Sequence, residues 1–312
     1  ILAAEAFMDG RGPHLPSGVG EGHVRKKALS VWIVLILGLI LSALLFQLLY
    51  KGELERRRQI FKDKAQPLLQ SFPERLEGHI LALDSLRRFH NGSESVERSE
   101  FNEFVVPILK RSKDIRSLQW EPRVALAERV SCEEMARKDG LKGFQFMELS
   151  AQGGIVPAGQ RDEYYPVFYC EPLAGNEVAL GLDMASEPSR RRLVERARDS
   201  GEAAVSAKVR LLQNIHGVIV CLPVYKHGAP VRTVEARRES MSGLMVAILD
   251  TRLLVDGLVE GMDAKDGCMG LDDLSAPSGE RTLYASPCAP GSCVAGLEMG
   301  TRLSGSVQRM VR

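Results

Sequence analysis

Between Ala28 and Tyr50 the chain reads ALSVWIVLILGLILSALLFQLLY, with no charged side chain and Gln47 as its only strongly polar one. As a helix rising about 1.5 Å per residue, this segment reaches about 34 Å, enough for a bilayer core about 30 Å thick. Trp32 and Tyr50 sit near its two ends, where amphipathic rings favour the membrane interface. A cleaved signal would be shorter and would end in small residues, which Tyr50-Lys51-Gly52 does not supply. The segment therefore predicts a retained transmembrane helix over 28–50. It follows a Gly- and Pro-containing leader, 1–27, that shows no periodicity and is expected to be disordered. No later stretch approaches membrane length, so the remainder is expected to be soluble.

Charge does not settle which side that remainder occupies. Arg25, Lys26 and Lys27 flank the helix on one side; Lys51, Arg56, Arg57, Arg58, Lys62 and Lys64 flank it on the other. Counting basic residues alone slightly favours a cytoplasmic domain. Over the whole chain 41 basic and 40 acidic residues leave a net charge of +1, which argues against a nucleic-acid binder. An aromatic content of 6% also argues against single-strand stacking platforms. The chain opens on Ile1, with Met8 its first methionine, and stops at Arg312; a piece of a longer protein is expected.

The six cysteines, Cys132, Cys170, Cys221, Cys268, Cys288 and Cys293, are too few for a disulfide-built scaffold of this length. Their spacing offers no zinc pattern, and no metal or cofactor is expected. Bridges between Cys170 and Cys221, on strands expected to be neighbours, and between Cys288 and Cys293 across CAPGSC remain open.

After the membrane segment, Phe61, Ala65, Leu68, Phe72, Leu76, Ile80, Leu83 and Leu86 recur every three or four residues. They predict a stalk helix over 51–92 with one apolar stripe, bent or interrupted near Pro67 and Pro73. The stripe can pack on its own domain or on a second copy. Strands are predicted over 115–120, 144–149, 164–170, 177–184, 203–212, 216–225, 243–249, 267–273 and 282–285. Helices are predicted over 122–138, 186–200 and 251–261, with a charged linker over 226–240. The expected class is α+β: one transmembrane helix, a long stalk helix, then two PAS-like antiparallel-sheet units, 93–235 and an incomplete 236–312.

Six segments in order resemble the CHASE domain: RRFHNGSESVERSEFNEFV, IRSLQWEPRVALAER, RDEYYPVFYCEPLAGNEVALGLDM, SEPSRRRLVERARDSG, GVIVCLPVY and SGLMVAILDTRLLVDGL. The resemblance implies a sensory module outside the membrane, with a ligand pocket in the membrane-distal unit and the orientation that charge counting leaves open. It also implies a homodimer and a cytoplasmic histidine kinase or cyclase beyond this chain.

Alternation over 177–184 places Ala179, Gly181 and Asp183 on one strand face. Two minimal side chains beside a carboxylate predict a hollow with one strong acceptor, suited to a small molecule offering N–H donors. Asp183 could equally satisfy the helix starting near Ser186 or pair with Arg161. The resemblance to cytokinin-receptor members adds a backbone contact at Val205 and a polar group at Asn214, where those receptors carry Thr. That departure, with Lys208 and Arg210 nearby, leaves an adenine-type ligand as one candidate among several. Tyr165, Tyr169 and Leu211 could line the walls or simply pack.

The alternatives are an extracytoplasmic enzyme and an adhesion or dimerisation module without a pocket. The first lacks any G-x-S-x-G, H-E-x-x-H or Walker-type motif. Its histidines are scattered, and His79 reads as an ordinary surface side chain of the stalk. In the helix 186–200, Leu193, Val194 and Ala197 read as inward. Arg190, Arg191, Arg192, Arg196 and Arg198 read as a solvated face.

Overall fold

The structure is a computed structural model that describes residues 21–150, 153–211, 215–259, 270–272 and 281–285. It opens with a long helix, α1 (Glu21–Gly92), followed by α2 (Arg98–Arg111). The strands β1 (Ile115–Pro122) and β2 (Val124–Ala125) lead to α3 (Arg129–Lys138). Short strands follow: β3 (Met147–Leu149), β4 (Ile155–Pro157), β5 (Glu163–Tyr164) and β6 (Tyr169–Glu171). Helix α4 (Pro188–Ser200) precedes β7 (Ala204–Val205), β8 (Val209–Arg210) and β9 (His216–Tyr225). Then come α5 (Val234–Ser240), β10 (Met241–Asp250), α6 (Thr251–Val259) and the hairpin strands β11 (Gly270–Asp272) and β12 (Thr282–Ala285).

Two compact units divide the chain, 1–62 and 63–312. In the first, the segment Leu29–Arg56 is a helix with mean hydropathy 2.8, long and apolar enough to cross a membrane. Helix α1 runs unbroken through Pro67 and Pro73, so neither proline interrupts the stalk.

The second unit is organised by an antiparallel sheet of order β6-β1-β10-β9-β7, with β8 also paired to β9. Strands β9 and β10 are buried along almost their whole length. A strand covered on both faces loses the polar alternation of a half-exposed one, which explains runs such as GVIVCLPV and GLMVAIL. Ala247 and Leu249 of β10, and Val218, Val220, Leu222 and Val224 of β9, point into a core shared with Leu76, Leu83 and Leu86 of α1. Phe101 and Val105 of α2 complete that side. From Leu76 to Leu86 the apolar stripe of the stalk thus packs on its own domain; the side chains of Phe61, Ala65 and Leu68 lie outside the described ones.

Val246 of β10, with Ile219 and Cys221 of β9, points the other way, into a core shared with Leu193, Val194 and Ala197 of α4. The sheet is therefore sandwiched between α1–α2 and α4. At Gly243 the strands pack so closely that a Cβ would lie 2.5 Å from the Glu121 carbonyl oxygen and 2.6 Å from the Trp120 ring.

Strand β10 joins β1 and β9 in the middle of this sheet, with registers such as Trp120↔Met245 and Cys221↔Val246. The expected boundary at 235/236 consequently falls inside one folded sheet, not between two units. The expected linker 226–240 contains α5, which starts at a Thr233 cap. Predicted helix 122–138 starts later, after β2, and 164–170 divides into β5 and β6. The segment 177–184 is no strand: it holds 3-10 turns over Glu177–Ala179 and Met184–Ser186. Cys132, Cys170 and Cys221 are buried free thiols. Cys170 and Cys221 stand on β6 and β9, with β1 and β10 between them, so these strands are not neighbours. Cys288 and Cys293 lie outside the described residues.

His79 corrects another expectation. Only 4% exposed, it bonds through Nε2 to Asp114 Oδ2 at 2.8 Å, and Arg75 Nε reaches the same oxygen at 3.3 Å. Asp114 is itself 1% exposed and its backbone carbonyl accepts from the Asp250 amide. This cluster fastens α1 to the sheet where β1 begins. Burial raises the Asp114 carboxyl, but its bonds to His79 and the Arg75 charge outweigh that and leave it below the usual aspartate value of 3.8. Its stabilisation is complete above that value and is lost as pH falls through the lower folded one. Replacing Asp114→Ala breaks a buried pair and should cost about 3–5 kcal/mol, measured by denaturant unfolding at pH 7. Leu83→Ala, in the same helix, should cost about 2–5 kcal/mol, while the exposed Leu81→Ala should stay within about 0.5 kcal/mol.

Candidate functional site

The α4 face of the sheet carries an unusual amount of polar material. Alternation along β1 puts Ser117, Gln119 and Glu121 on that face, and all three are buried. Gln119 Nε2 donates to Ser117 Oγ at 2.8 Å and lies 3.7 Å from Cys170 Sγ. Above them lies a cavity of about 40 Å³, bounded by Ser117, Gln119, Asn176, Ala179, Arg190 and Leu211. On a comparable measure a single water needs about 10–15 Å³, so the space is small. Val167, Leu182, Met184, Ile219 and Ile248 supply the rest of an apolar wall.

Helix α4 aims Arg190 into this space. Glu187 caps the helix, its carboxylate accepting from the Ser189 and Arg190 amides at 3.0 and 3.3 Å. Pro188 occupies the first turn and Gly201, at φ 79°, closes the other end. That cap fixes the helical phase, so Arg190 joins Leu193, Val194 and Ala197 as an inward residue. The Arg190 side chain is more than nine-tenths buried. Among the described residues its Nε has no hydrogen-bond partner, and Glu187 Oε2 lies 3.8 Å away.

The far end of α4 is held firmly. Asp199 takes Arg198 at 2.8 Å and Arg238 at 2.5 Å, while its backbone carbonyl accepts from Arg237 Nη2 at 2.6 Å. Tyr225 donates its hydroxyl to the Arg198 carbonyl at 2.6 Å.

Glu121 is fully buried and neither carboxylate oxygen has a hydrogen-bond partner. Burial pushes its carboxyl well above the usual 4.5; the Arg190 charge opposes that and the Asp183 charge adds to it. Arg190 in turn is lowered by burial, against the pull of Glu187 and Glu121.

Asp183, expected at the heart of the site, is fully buried but already engaged. Its Oδ1 accepts from the Tyr165 and Ala185 amides at 2.9 and 3.1 Å, and its Oδ2 pairs with Arg161 Nη1 at 3.1 Å. Arg161 also grips Glu148. Of the two structural roles weighed for Asp183 from the sequence, the Arg161 pair is present; its bond to Ala185 caps the short 3-10 turn Met184–Ser186, while α4 itself is capped by Glu187. Burial raises its carboxyl, and the two amides and Arg161 only partly counter this.

Gly181, at φ 77°, is not beside a hollow: a Cβ there would lie 2.2 Å from the Gln145 carbonyl oxygen. Val205 pairs with Val220 at the sheet edge, and its carbonyl accepts from Arg196. Tyr165 packs in the α4 core, its hydroxyl 3.3 Å from Glu163. Tyr169 lies on the opposite side of the sheet, donating to the Val96 carbonyl at 2.9 Å under the Arg98 guanidinium. Asn214 lies outside the described residues. Of the residues expected to bind ligand, Ala179 and Leu211 come together at the cavity; the others described do not line it. Sequence reasoning missed Ser117, Gln119, Asn176 and Arg190. The spacing of Arg190 from Leu193, Val194 and Ala197 was the available signal for the last.

The sheet is thus clad on both faces, with a small polar-edged cavity on the α4 side. A family model described as CHASE domain matches residues 94–284, and the chain belongs to that family. Histidine kinase 3 of Arabidopsis thaliana is 25% identical over 257 residues, covering 77% of this chain and 24% of that protein. Probable histidine kinase 4 of Oryza sativa subsp. japonica is 30% identical over 165 residues, covering 52% of this chain and 16% of that protein. The chain thus spans about a quarter or less of the relatives it matches. Among solved structures, the ligand-binding domain of the Pseudomonas aeruginosa PAO1 amino-acid chemoreceptor PctC, in complex with GABA, aligns at TM-score 0.37. It shares 10% identity over 75% of this chain and 74% of that one, a loose likeness.

The Glu121 carboxyl gives the site a pH signature. The unfolded chain releases this proton near 4.5, whereas the folded chain holds it to higher pH. Between those values the native state binds more protons, so stability falls as pH rises through the interval. Glu121→Gln should flatten that fall and stabilise the protein on its alkaline side, read as melting temperature against pH.

Proposed function

We propose that this chain is the extracytoplasmic, small-molecule-sensing part of a membrane receptor whose output is a cytoplasmic histidine kinase or cyclase. The observation that carries the reading is the cavity between β1 and α4, with a buried charged side chain aimed into it, in a member of a sensory family. An adhesion module has no use for such a cavity. An enzyme would bring a nucleophile and base together there; the one hydroxyl on the described wall, Ser117, faces the Gln119 amide and has no His, Lys or carboxylate beside it among the lining residues.

In this reading the segment 28–50 anchors the chain and the sensor lies outside the cytoplasm. The receptor works as a homodimer, in which ligand shifts the population of two arrangements and α1 carries the difference towards the membrane. Support for that route is the His79–Asp114 fastening between α1 and the sheet. Asp183, held by Tyr165, Ala185 and Arg161, serves as scaffold beside the site.

Two measurements test this. With the native cysteines replaced, Val156→Cys on exposed β4 should react with a membrane-impermeant maleimide on intact cells; labelling only after permeabilisation would sink the orientation. A small-molecule panel should contain a compound that raises the melting temperature of the chain in detergent. Ala179→Leu, which narrows the cavity, should abolish that rise.

A further inference from the structure

We propose that the cavity binds a small carboxylate, of acetate to alanine size, held by the Arg190 guanidinium. The inference rests on the sensor reading above and names the ligand class for the same site.

The first argument is the state of Arg190 itself. A buried guanidinium is costly unless paired and hydrogen-bonded, yet among the described residues its Nε has no hydrogen-bond partner. Its nearest ion-pair partner, Glu187, stands 3.8 Å away with a side chain 36% exposed, already spent on two backbone amides of the cap. Guanidinium forks match carboxylates with two parallel hydrogen bonds, stronger than neutral ones.

The second argument is position. Arg190 lies in the first turn of α4, the positive end of the helix, where a cation is disfavoured and an anion favoured. Glu187 already takes the Ser189 and Arg190 amides, so a bound carboxylate would be held by the guanidinium, with the field of the helix end adding to it. Glu121 does not take that place. Among the described residues neither of its oxygens has a hydrogen-bond partner, Arg190 included, and burial pushes its carboxyl towards the neutral form, which leaves the more distant Glu187 as the arginine's ion-pair partner.

The third argument is the remainder of the wall. Ser117 and Gln119 edge the cavity with polar groups, while Ala179, Leu211 and Ile248 suit a short apolar tail. A volume of about 40 Å³ accommodates little more than this and leaves no room for a purine without rearrangement.

The test uses the whole chain in detergent at constant ionic strength, with unfolding followed by tryptophan fluorescence. Acetate, propionate and L-alanine are compared with methyl acetate, methylammonium and adenine. Carboxylates should raise the melting temperature saturably, and the neutral and cationic compounds should not. Arg190→Gln should weaken the carboxylate effect about 10- to 100-fold, with near-UV circular dichroism confirming its fold. Arg190→Lys keeps the charge without the fork and should fall between. If Arg190→Gln does not fold, Arg190→Lys decides: a carboxylate affinity equal to the parent's overturns the proposal. Adenine or methyl acetate binding, lost in Ala179→Leu but unchanged in Arg190→Gln, would keep the sensor reading and discard the carboxylate. No compound binding the parent chain would discard both. A carboxylate effect that survives Ala179→Leu and Arg190→Gln would place binding elsewhere and overturn the proposal.

Discussion

The structure depends on a central sheet that is apolar on both faces. Strands β9 and β10 have almost no exposed side chains, so the sheet cannot exist with either side in water. Burying a Leu or Val side chain contributes about 1.5–3 kcal/mol, and both faces hold rows of them. The chain answers by laying α1 and α2 across one face and α4 across the other. These two cladding layers are built differently. The first is held by aliphatic and aromatic packing and by the buried His79–Asp114–Arg75 cluster. The second is interrupted by polar side chains from β1, and there the cavity lies.

The asymmetry separates a face closed by packing from a face that keeps a polar-edged cavity. Among the described residues, Asp114 Oδ1 and Arg98 Nη1 lack partners on the α1–α2 side, and both Glu121 oxygens and Arg190 Nε lack them on the α4 side. Unpaired buried polar groups are expensive, and a site that leaves them so gains most when a ligand supplies what is missing. In the sensor reading proposed above, the buried group short of partners among the described residues is Arg190 and not Asp183, whose carboxylate is taken by Tyr165, Ala185 and Arg161.

Much of the fold was legible because its signals are local. The β9 span and its inward Val218–Val224 face follow from alternation, and α4 ends at Gly201 because glycine accepts the left-handed conformation there. The apolar stripe of α1 told which face would be buried. Other features depended on partners distant in sequence. Nothing around Met241–Asp250 announces that it pairs with β1, more than a hundred residues earlier, so a charged connection was read as a domain boundary. His79 carried no sign of Asp114. The alternation in EVALGLDM imitates a strand, but Gly181 adopts a left-handed turn against Gln145, which ends any strand there. Arg190 was hidden by its neighbours: among five arginines on one helix, only the capped helical phase decides which one turns inward.

The clamp at the C-terminal end of α4 has a mechanical consequence. Arg198, Arg237, Arg238 and Tyr225 all converge on the last turn, whereas the first turn rests on a cap and a cavity. With its last turn tied to α5 and β9, a displacement of α4 that spared those bonds would pivot near Asp199 and carry the Arg190 end furthest. The length of α4 sets how far a small motion there can reach.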